Sequence, residues 1–413
     1  MYNIKLENYI PAPKPATTDR IVAAHYYPSW TKGGNTLNHE FEDDFPYPER
    51  TPLIGFYEDR NPEVVDWEIK QALEHGINCF IFCWYRKRDN VGKPVTVDAL
   101  RLGKGLHEGF LKARYNPMMQ FAVMFETCAG RWGAADHDDL LENVLPFWMR
   151  EYFSKENYLR IDGKPVVFLH DGGQQLYHML GDSCGMKKAL DDCREAAKKA
   201  GYNGLIFAQN LADGAEGMQR AKDSGVDFSF MYSQSVVTGR EVITSEEAYQ
   251  IQLSATTKYL SLDPLRFVPT VSPFGDTEPR VEGMLTIHYA RKYWYANFKD
   301  YRRLLRMTKA LSDAAPENSF ARKMIMVDCV NEWDEGHFLL PSYRFGYKHL
   351  QCIREELTER DNLPDYRTPE ALGFAPYDEV WGGRAIDLSQ YNDRKLDDGE
   401  FTQHRYHYGL NQE

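Results

Sequence analysis

No two cysteines in the chain are spaced as a CxxC pair, and their total, seven, is odd. Several sit in apolar, strand-like runs, so buried free thiols are expected rather than a disulfide framework or a cysteine metal site. No run is long and apolar enough to span a bilayer. The stretch from Met1 to Thr18 lacks the apolar core of a secretory signal. That fits a cytosolic protein, or a periplasmic or surface one whose leader has been removed. Acidic residues outnumber basic ones: the net charge is −12 and no basic stripe emerges, which argues against a nucleic-acid partner. No Gly-rich dinucleotide turn follows the first apolar run, no GxSxG elbow or phosphate loop appears, and no HExxH-like spacing occurs. Neither a cofactor nor a metal is therefore expected.

What is present is an alternation. Ile21 to Tyr27 reads as a strand stopped by Pro28, and a long Pro-, Gly- and acid-rich connection follows it. Pro62 to His75 has Asn61 as cap, Pro at its first position, and Val65, Ile69 and Leu73 on one face, so it predicts a helix. Strands are expected over 77–84, 118–125, 164–170, 204–209, 226–231, 266–271 and 324–330. Helices are expected between them over 97–113, 138–153 (kinked at Pro146), 186–200, 215–224, 245–260 and 297–314, and after them over 343–358. Eight such alternations without a linker predict a single α/β domain, a (β/α)8 TIM barrel over residues 1–361 with long βα loops. Residues 362–413 read as an irregular C-terminal extension packed on it. A doubly wound open sheet is the alternative.

A barrel of this kind carries its chemistry at the carboxyl ends of its strands. Those ends offer Tyr26, Tyr27 and Trp30; Trp84 and Tyr85; Glu126, Arg131 and Trp132; His170; Asn210; Tyr232; Asp276, Thr277 and Arg280; and Asn331 and Trp333. Aromatics, acids and amides together suit a polyhydroxylated ligand, with rings for the apolar sugar faces and polar groups for the hydroxyls. After the eighth strand come Glu332 and Glu335, three residues apart. In an extended chain they would point to opposite faces. A helical turn after Asn331 would put them on one side, and Gly336 would tolerate its dihedrals. For this pair to act, both acids must face an open site, neither locked in a buried ion pair.

At these residues the sequence resembles glycoside hydrolase family 99 and the WbsX-type proteins of bacterial polysaccharide loci. The matching pieces are Tyr26-Tyr27-Pro28, Glu126 with Arg131-Trp132, Asp276-Thr277 with Arg280, and Asn331-Glu332-Trp333-Asp334-Glu335-Gly336. Leu340-Pro341 and Phe345-Gly346-Tyr347 follow, and the likeness runs from about Ile21 to Leu357. It implies a retaining, endo-α-mannosidase-like glycoside hydrolase. Glu332 would help the sugar's own 2-hydroxyl attack the anomeric carbon through a 1,2-anhydro intermediate, and Glu335 would be the acid/base at the leaving oxygen. The third-strand segment Phe125-Glu126-Thr127-Cys128 departs from both branches of the family, so the sugar preference need not follow.

The expected partner is thus an oligosaccharide or polysaccharide substrate. Two other functions fit the same ring-and-acid inventory: a WbsX-type glycosyltransferase using an activated sugar donor, and a glycan-binding barrel without catalysis.

Overall fold

A computed structural model describes residues 9–30, 52–55, 57–127, 133–171, 174–211, 214–233, 242–276, 293–295, 297–333, 335–342, 344–372, 374 and 377. Seven strands form one curled parallel sheet: β1 Ile21–Tyr26, β2 Cys79–Arg86, β3 Gln120–Glu126, β4 Lys164–His170, β5 Ile206–Asn210, β6 Phe228–Phe230 and β7 Met324–Cys329. From β1 to β6 each pairs with the next, and β7 pairs with β1. Between β6 and β7 runs segment 266–271, expected as a strand. It is held by single parallel bridges, Phe267 to Ser229 and Thr270 to Met326. Pro269 has no N–H to give to a ladder, which limits the pairing there. The strands are rich in aromatic and β-branched residues and buried nearly throughout, as a parallel sheet covered by helices requires.

The helices lie between the strands as the periodicity predicts. Helix α1 (Pro62–Glu74) is capped by the Asn61 side chain, which accepts from the Glu63 N–H. In α2 (Ser183–Lys199) Asp182 accepts from Cys184 and Gly185, and α3 (Gly214–Asp223) follows β5. Helix α4 (Ser245–Leu262) starts with a reciprocal Thr244–Glu247 capping box. Asn297 caps α5 (Phe298–Ala314), and α6 (Lys348–Leu357) closes the series.

Two segments depart from simple helices. Over 97–113 the chain breaks into a 3-10 turn, a two-residue strand and a wide turn at Gly105–Gly109. Close packing dictates part of this: a Cβ on Gly109 would meet the Asp59 carbonyl at 2.0 Å. Over 137–153 the run is helical but opens into wide turns at Leu140–Val144 and Met149–Phe153, on either side of Leu145–Trp148. Pro146, which cannot donate to the ladder, accounts for that loosening.

Strand periodicity decides which side chains reach the barrel interior. His25 points inward, packing on Phe230 and Tyr232 at 5.7 and 4.5 Å. Tyr26 points outward between Phe80 and Phe82 and gives its hydroxyl to Glu68 on α1 at 2.6 Å. β7 carries one irregularity. Ala23 pairs with Met326 but His25 with Cys329, so β7 holds one extra residue, and Asp328 there takes φ 81°. This is a bulge at the carboxyl end of the strand.

Of the C-terminal extension, the part up to residue 377 that is described lies along α1 and α6. Arg354 bonds Asn362, and Tyr377 bonds both Glu63 and the Trp67 indole.

Candidate active site

The stretch after β7 is a hairpin, not the helical turn expected from its spacing. Asn331 pairs with Phe338 and Glu332 with His337, antiparallel, and Gly336 at φ 64° makes the reversal. The hairpin nevertheless brings the two acids together, because each meets the same small cluster. Glu332, 3 % exposed, accepts a hydrogen bond from the Tyr232 hydroxyl at 3.0 Å. Glu335 Oε2 lies 2.6 Å from Nε2 of His337, and the Tyr232 ring meets the His337 ring edge-on at 5.8 Å. The Glu335 side chain is 21 % exposed and the His337 it pairs with 6 %, so this ion pair is largely buried, against the expectation that neither acid would be held in one.

Around this pair stand other strand-end residues. Glu126 and His170, from neighbouring β3 and β4, bond at 2.6 Å, and the His170 ring packs on Tyr232 at 5.0 Å. The Asn210 side chain accepts from the Tyr232 N–H at 2.8 Å and so holds that tyrosine in place. Tyr85 and Tyr27 meet edge to face at 6.4 Å. Burial, then the Glu126 carboxylate, pushes the Tyr85 hydroxyl well up. Burial likewise pushes Tyr232 up, with Glu332 and Glu335 adding to it, so Tyr232 remains a donor. Cys83, 3.9 Å from that hydroxyl, is kept a thiol by burial and by Glu126.

Four of the expected ligand-facing aromatics are placed elsewhere. Tyr26 and Trp84 occupy the outward positions of their strands. Trp84 packs among Phe125, Phe147 and Trp148 and spends its indole N–H on Tyr152 at 2.9 Å. Trp30 and Trp333 are buried supports. Trp30 donates to the Asn331 carbonyl at 2.8 Å, and Trp333 donates to the Tyr57 hydroxyl at 3.0 Å while lying on Phe338. Asn331 is also structural: buried completely, it accepts from the Tyr27 N–H at 2.8 Å and ties β1 to the hairpin. For these five, a direct sugar contact gives way to packing and bracing.

Arg131, Trp132, Thr277 and Arg280 lie outside the described residues, as does the Asp276 side chain. The Asp276 backbone pairs with Tyr293 in a short antiparallel ladder. Gly133, which follows Trp132, has no room for a side chain: at φ 60°, a Cβ would overlap the Glu126 carbonyl at 1.3 Å.

Sequence reasoning missed His337 and Asp328. His337 Nδ1 is 3.0 Å from Asp328 Oδ1, which completes a chain from Asp328 through His337 to Glu335. His337 lies two residues beyond Glu335, across the turn that Gly336 makes. No local pattern reveals the role of Asp328, which ends an apolar run and meets His337, nine residues on, only through the hairpin. Burial alone would lower the His337 pKa, yet Asp328 and Glu335 more than offset it and hold the imidazole well above its ordinary value. His25 is the opposite case: burial, with the charges of His170 and His337, keeps it neutral. Among the described residues no group of three or more His, Cys, Asp or Glu is arranged to hold a metal ion, and no helix is long and apolar enough to cross a membrane.

This architecture, a curled parallel sheet with helices between its strands, is that of the TIM-barrel glycoside hydrolases. Superposition on the GH99 endo-α-mannosidase of Bacteroides thetaiotaomicron gives a TM-score of 0.56 at 15 % identity, covering 82 % of this chain and 97 % of that one. A protein described as glycoside hydrolase-like gives 0.56 at 17 % identity, covering 85 % and 98 %. At such identities the likeness is one of fold. The profile of the family described as Glycosyltransferase WbsX matches residues 132–353, more than half of the sequence, and the chain belongs to that family. It is also 24 % identical over 339 residues to the uncharacterized protein WxcX of Xanthomonas campestris pv. campestris. That match covers 76 % of this chain but 44 % of WxcX, so the chain spans less than half the length of this relative.

Proposed function

We propose that the protein is a retaining glycoside hydrolase that cleaves α-linked sugars in a complex glycan, endo-α-mannosidase-like in its chemistry. The observation that carries this reading is the convergence of Glu332 and Glu335 on one Tyr232–His337 cluster at the carboxyl end of the barrel. Two carboxylates on one short hairpin sit poorly for direct displacement, which needs a nucleophile on the ring face opposite the leaving group. Participation by the 2-hydroxyl removes that demand. Glu332 takes the proton of the 2-hydroxyl as it closes on the anomeric carbon, while Glu335 protonates the departing oxygen. Water then opens the 1,2-anhydro ring, giving its proton to Glu335, and Glu332 returns its own to the 2-oxygen. Tyr232 supports Glu332 as the charged base by donating to it. Tyr27 and Tyr85 supply ring surface for a sugar, and Glu126 with His170 supplies polar partners for hydroxyls. Arg131, Trp132, Asp276 and Arg280 complete this proposed binding set.

Screening α-linked oligosaccharides for released sugar tests the reading, with Glu332→Gln and Glu335→Gln as controls. Release by the wild type that both variants lose is expected. A second reading, a glycosyltransferase, is favoured by the description of the family that the chain matches. It predicts tight calorimetric binding of a nucleotide-sugar or lipid-linked donor, with transfer to an acceptor in place of release to water.

A further inference from the structure

Glu335 is asked above to give up a proton, yet it is paired to an imidazole that favours its charged form. The bulge in β7 bears on this contradiction. An aspartate at φ 81° inside a buried strand is held in a backbone conformation that L side chains rarely adopt. What this conformation achieves is placement: Asp328 Oδ1 comes within 3.0 Å of His337 Nδ1. With Nδ1–H held by a carboxylate, the opposite nitrogen is the one aimed at Glu335 Oε2, 2.6 Å away. Three groups thus lie in line from the strand core to the accessible edge: Asp328 and His337, both buried, and Glu335, partly exposed.

We propose that Asp328 and His337 are positioning residues that, with Glu335, form a proton relay, so that the acid/base of the reaction is the His337–Glu335 pair and not Glu335 alone. This deepens the hydrolase reading and rests on it. In the resting site the pair holds one transferable proton, stored on the His337 imidazole. As the glycosidic C–O bond breaks, Glu335 passes a proton to the leaving oxygen and His337 Nε2–H replaces it, leaving a neutral imidazole and a Glu335 carboxylate. The water that opens the 1,2-anhydro ring returns a proton to Glu335 and through it to His337, restoring the imidazolium. No co-reactant other than water is consumed.

Other described titratable groups facing His337 fit this role. From β1, His25 is neutral and adds no competing cation. Tyr232, beyond β6, stays protonated and engages Glu332. Glu332, whose backbone pairs with His337, adds negative charge that favours the imidazolium. The arrangement holds a proton near Glu335 at pH values where an isolated carboxyl would have lost it. The relay therefore sets the alkaline limb of the pH profile.

The experiment compares the wild type with His337→Asn and Asp328→Asn on two probes. One is whichever α-linked oligosaccharide of the panel is cleaved, and the other is the matching 2,4-dinitrophenyl α-glycoside, whose leaving group departs without a proton. For the oligosaccharide, both variants should shift the alkaline limb of kcat downward by about one pH unit or more with KM little changed. With the dinitrophenyl glycoside, the same variants should change the rate by less than about threefold. A wild-type alkaline limb in His337→Asn overturns the relay. If the wild type releases no sugar from any α-linked oligosaccharide, the hydrolase reading itself fails, so the two failures are distinguishable. Should either relay variant fail to fold, nitrogen-15 NMR of the histidines in wild type and Glu335→Gln decides the matter. The His337 titration should move to lower pH in the variant, and an unmoved titration contradicts the proposal.

Discussion

Tyr26 and Tyr27 are neighbours in sequence and alike in chemistry, as are Trp84 and Tyr85, yet each pair is divided between two jobs. Tyr27 and Tyr85 stand together at the mouth of the barrel. Tyr26 and Trp84 lie in the layer between sheet and helices, their polar atoms spent on Glu68 and Tyr152. A strand turns successive side chains to opposite faces. An aromatic-rich strand end is therefore half site and half scaffold, and only one of each pair can touch a sugar.

The largest expected effect is at the acids: Glu335→Gln should lower turnover of an oligosaccharide by about 10²–10⁴-fold, the scale of lost acid–base help. Unchanged turnover would remove Glu335 from the chemistry. On the scaffold side, Trp84→Ala should cost about 3–5 kcal/mol of stability in denaturant unfolding, with kcat per folded molecule unchanged. If that variant stays stable and loses only substrate affinity, Trp84 belongs with the site after all. Tyr232→Phe, which deletes the donor to Glu332, should cost about 1.5–3 kcal/mol in transition-state stabilisation, the worth of a hydrogen bond to a charged group. Equal kcat/KM in that variant and the wild type would break the link between the sixth strand and the hairpin.

The smallest effects concern pH. The Glu68 carboxyl, behind Tyr26, is pushed up to about 8, chiefly by burial. Folded protein thus holds a proton that the unfolded chain releases near the ordinary carboxyl value. Glu68 stabilises the fold fully at low pH, and this contribution is lost as pH rises through about 8. Glu68→Gln should flatten the fall in Tm between the ordinary carboxyl value and about pH 8, and a fall as steep as in the wild type would contradict the assignment. His337 works in the same direction. Its raised pKa stabilises the fold fully below the ordinary imidazole value and is lost as pH rises through the raised one.

Much of the fold was legible because it rests on local signals. Asn61 with Pro62, and Thr244 with Glu247, mark helix starts chemically, and the continuous apolar runs mark buried parallel strands. The segment after 97 was misread because the close approach of Gly109 to Asp59 is a tertiary constraint that no helical period reveals. The pair Glu332 and Glu335 was visible by spacing, but the backbone joining them was not, since a hairpin and a helical turn both place two acids on one side. Trp30 and Trp333 carry no mark in the sequence that tells a bracing ring from a ligand ring, because composition does not record where an indole N–H is spent. Asp328 was invisible because its partner His337 is brought to it only by the hairpin.

The most direct test of the central claim is the anomer first formed when the wild type cleaves an α-linked oligosaccharide, read by NMR before mutarotation, alongside Glu332→Gln. Two carboxylates working through the sugar's 2-hydroxyl should release the α-anomer first, with no product from the variant. A β-anomer appearing first, or undiminished release by Glu332→Gln, would contradict the account.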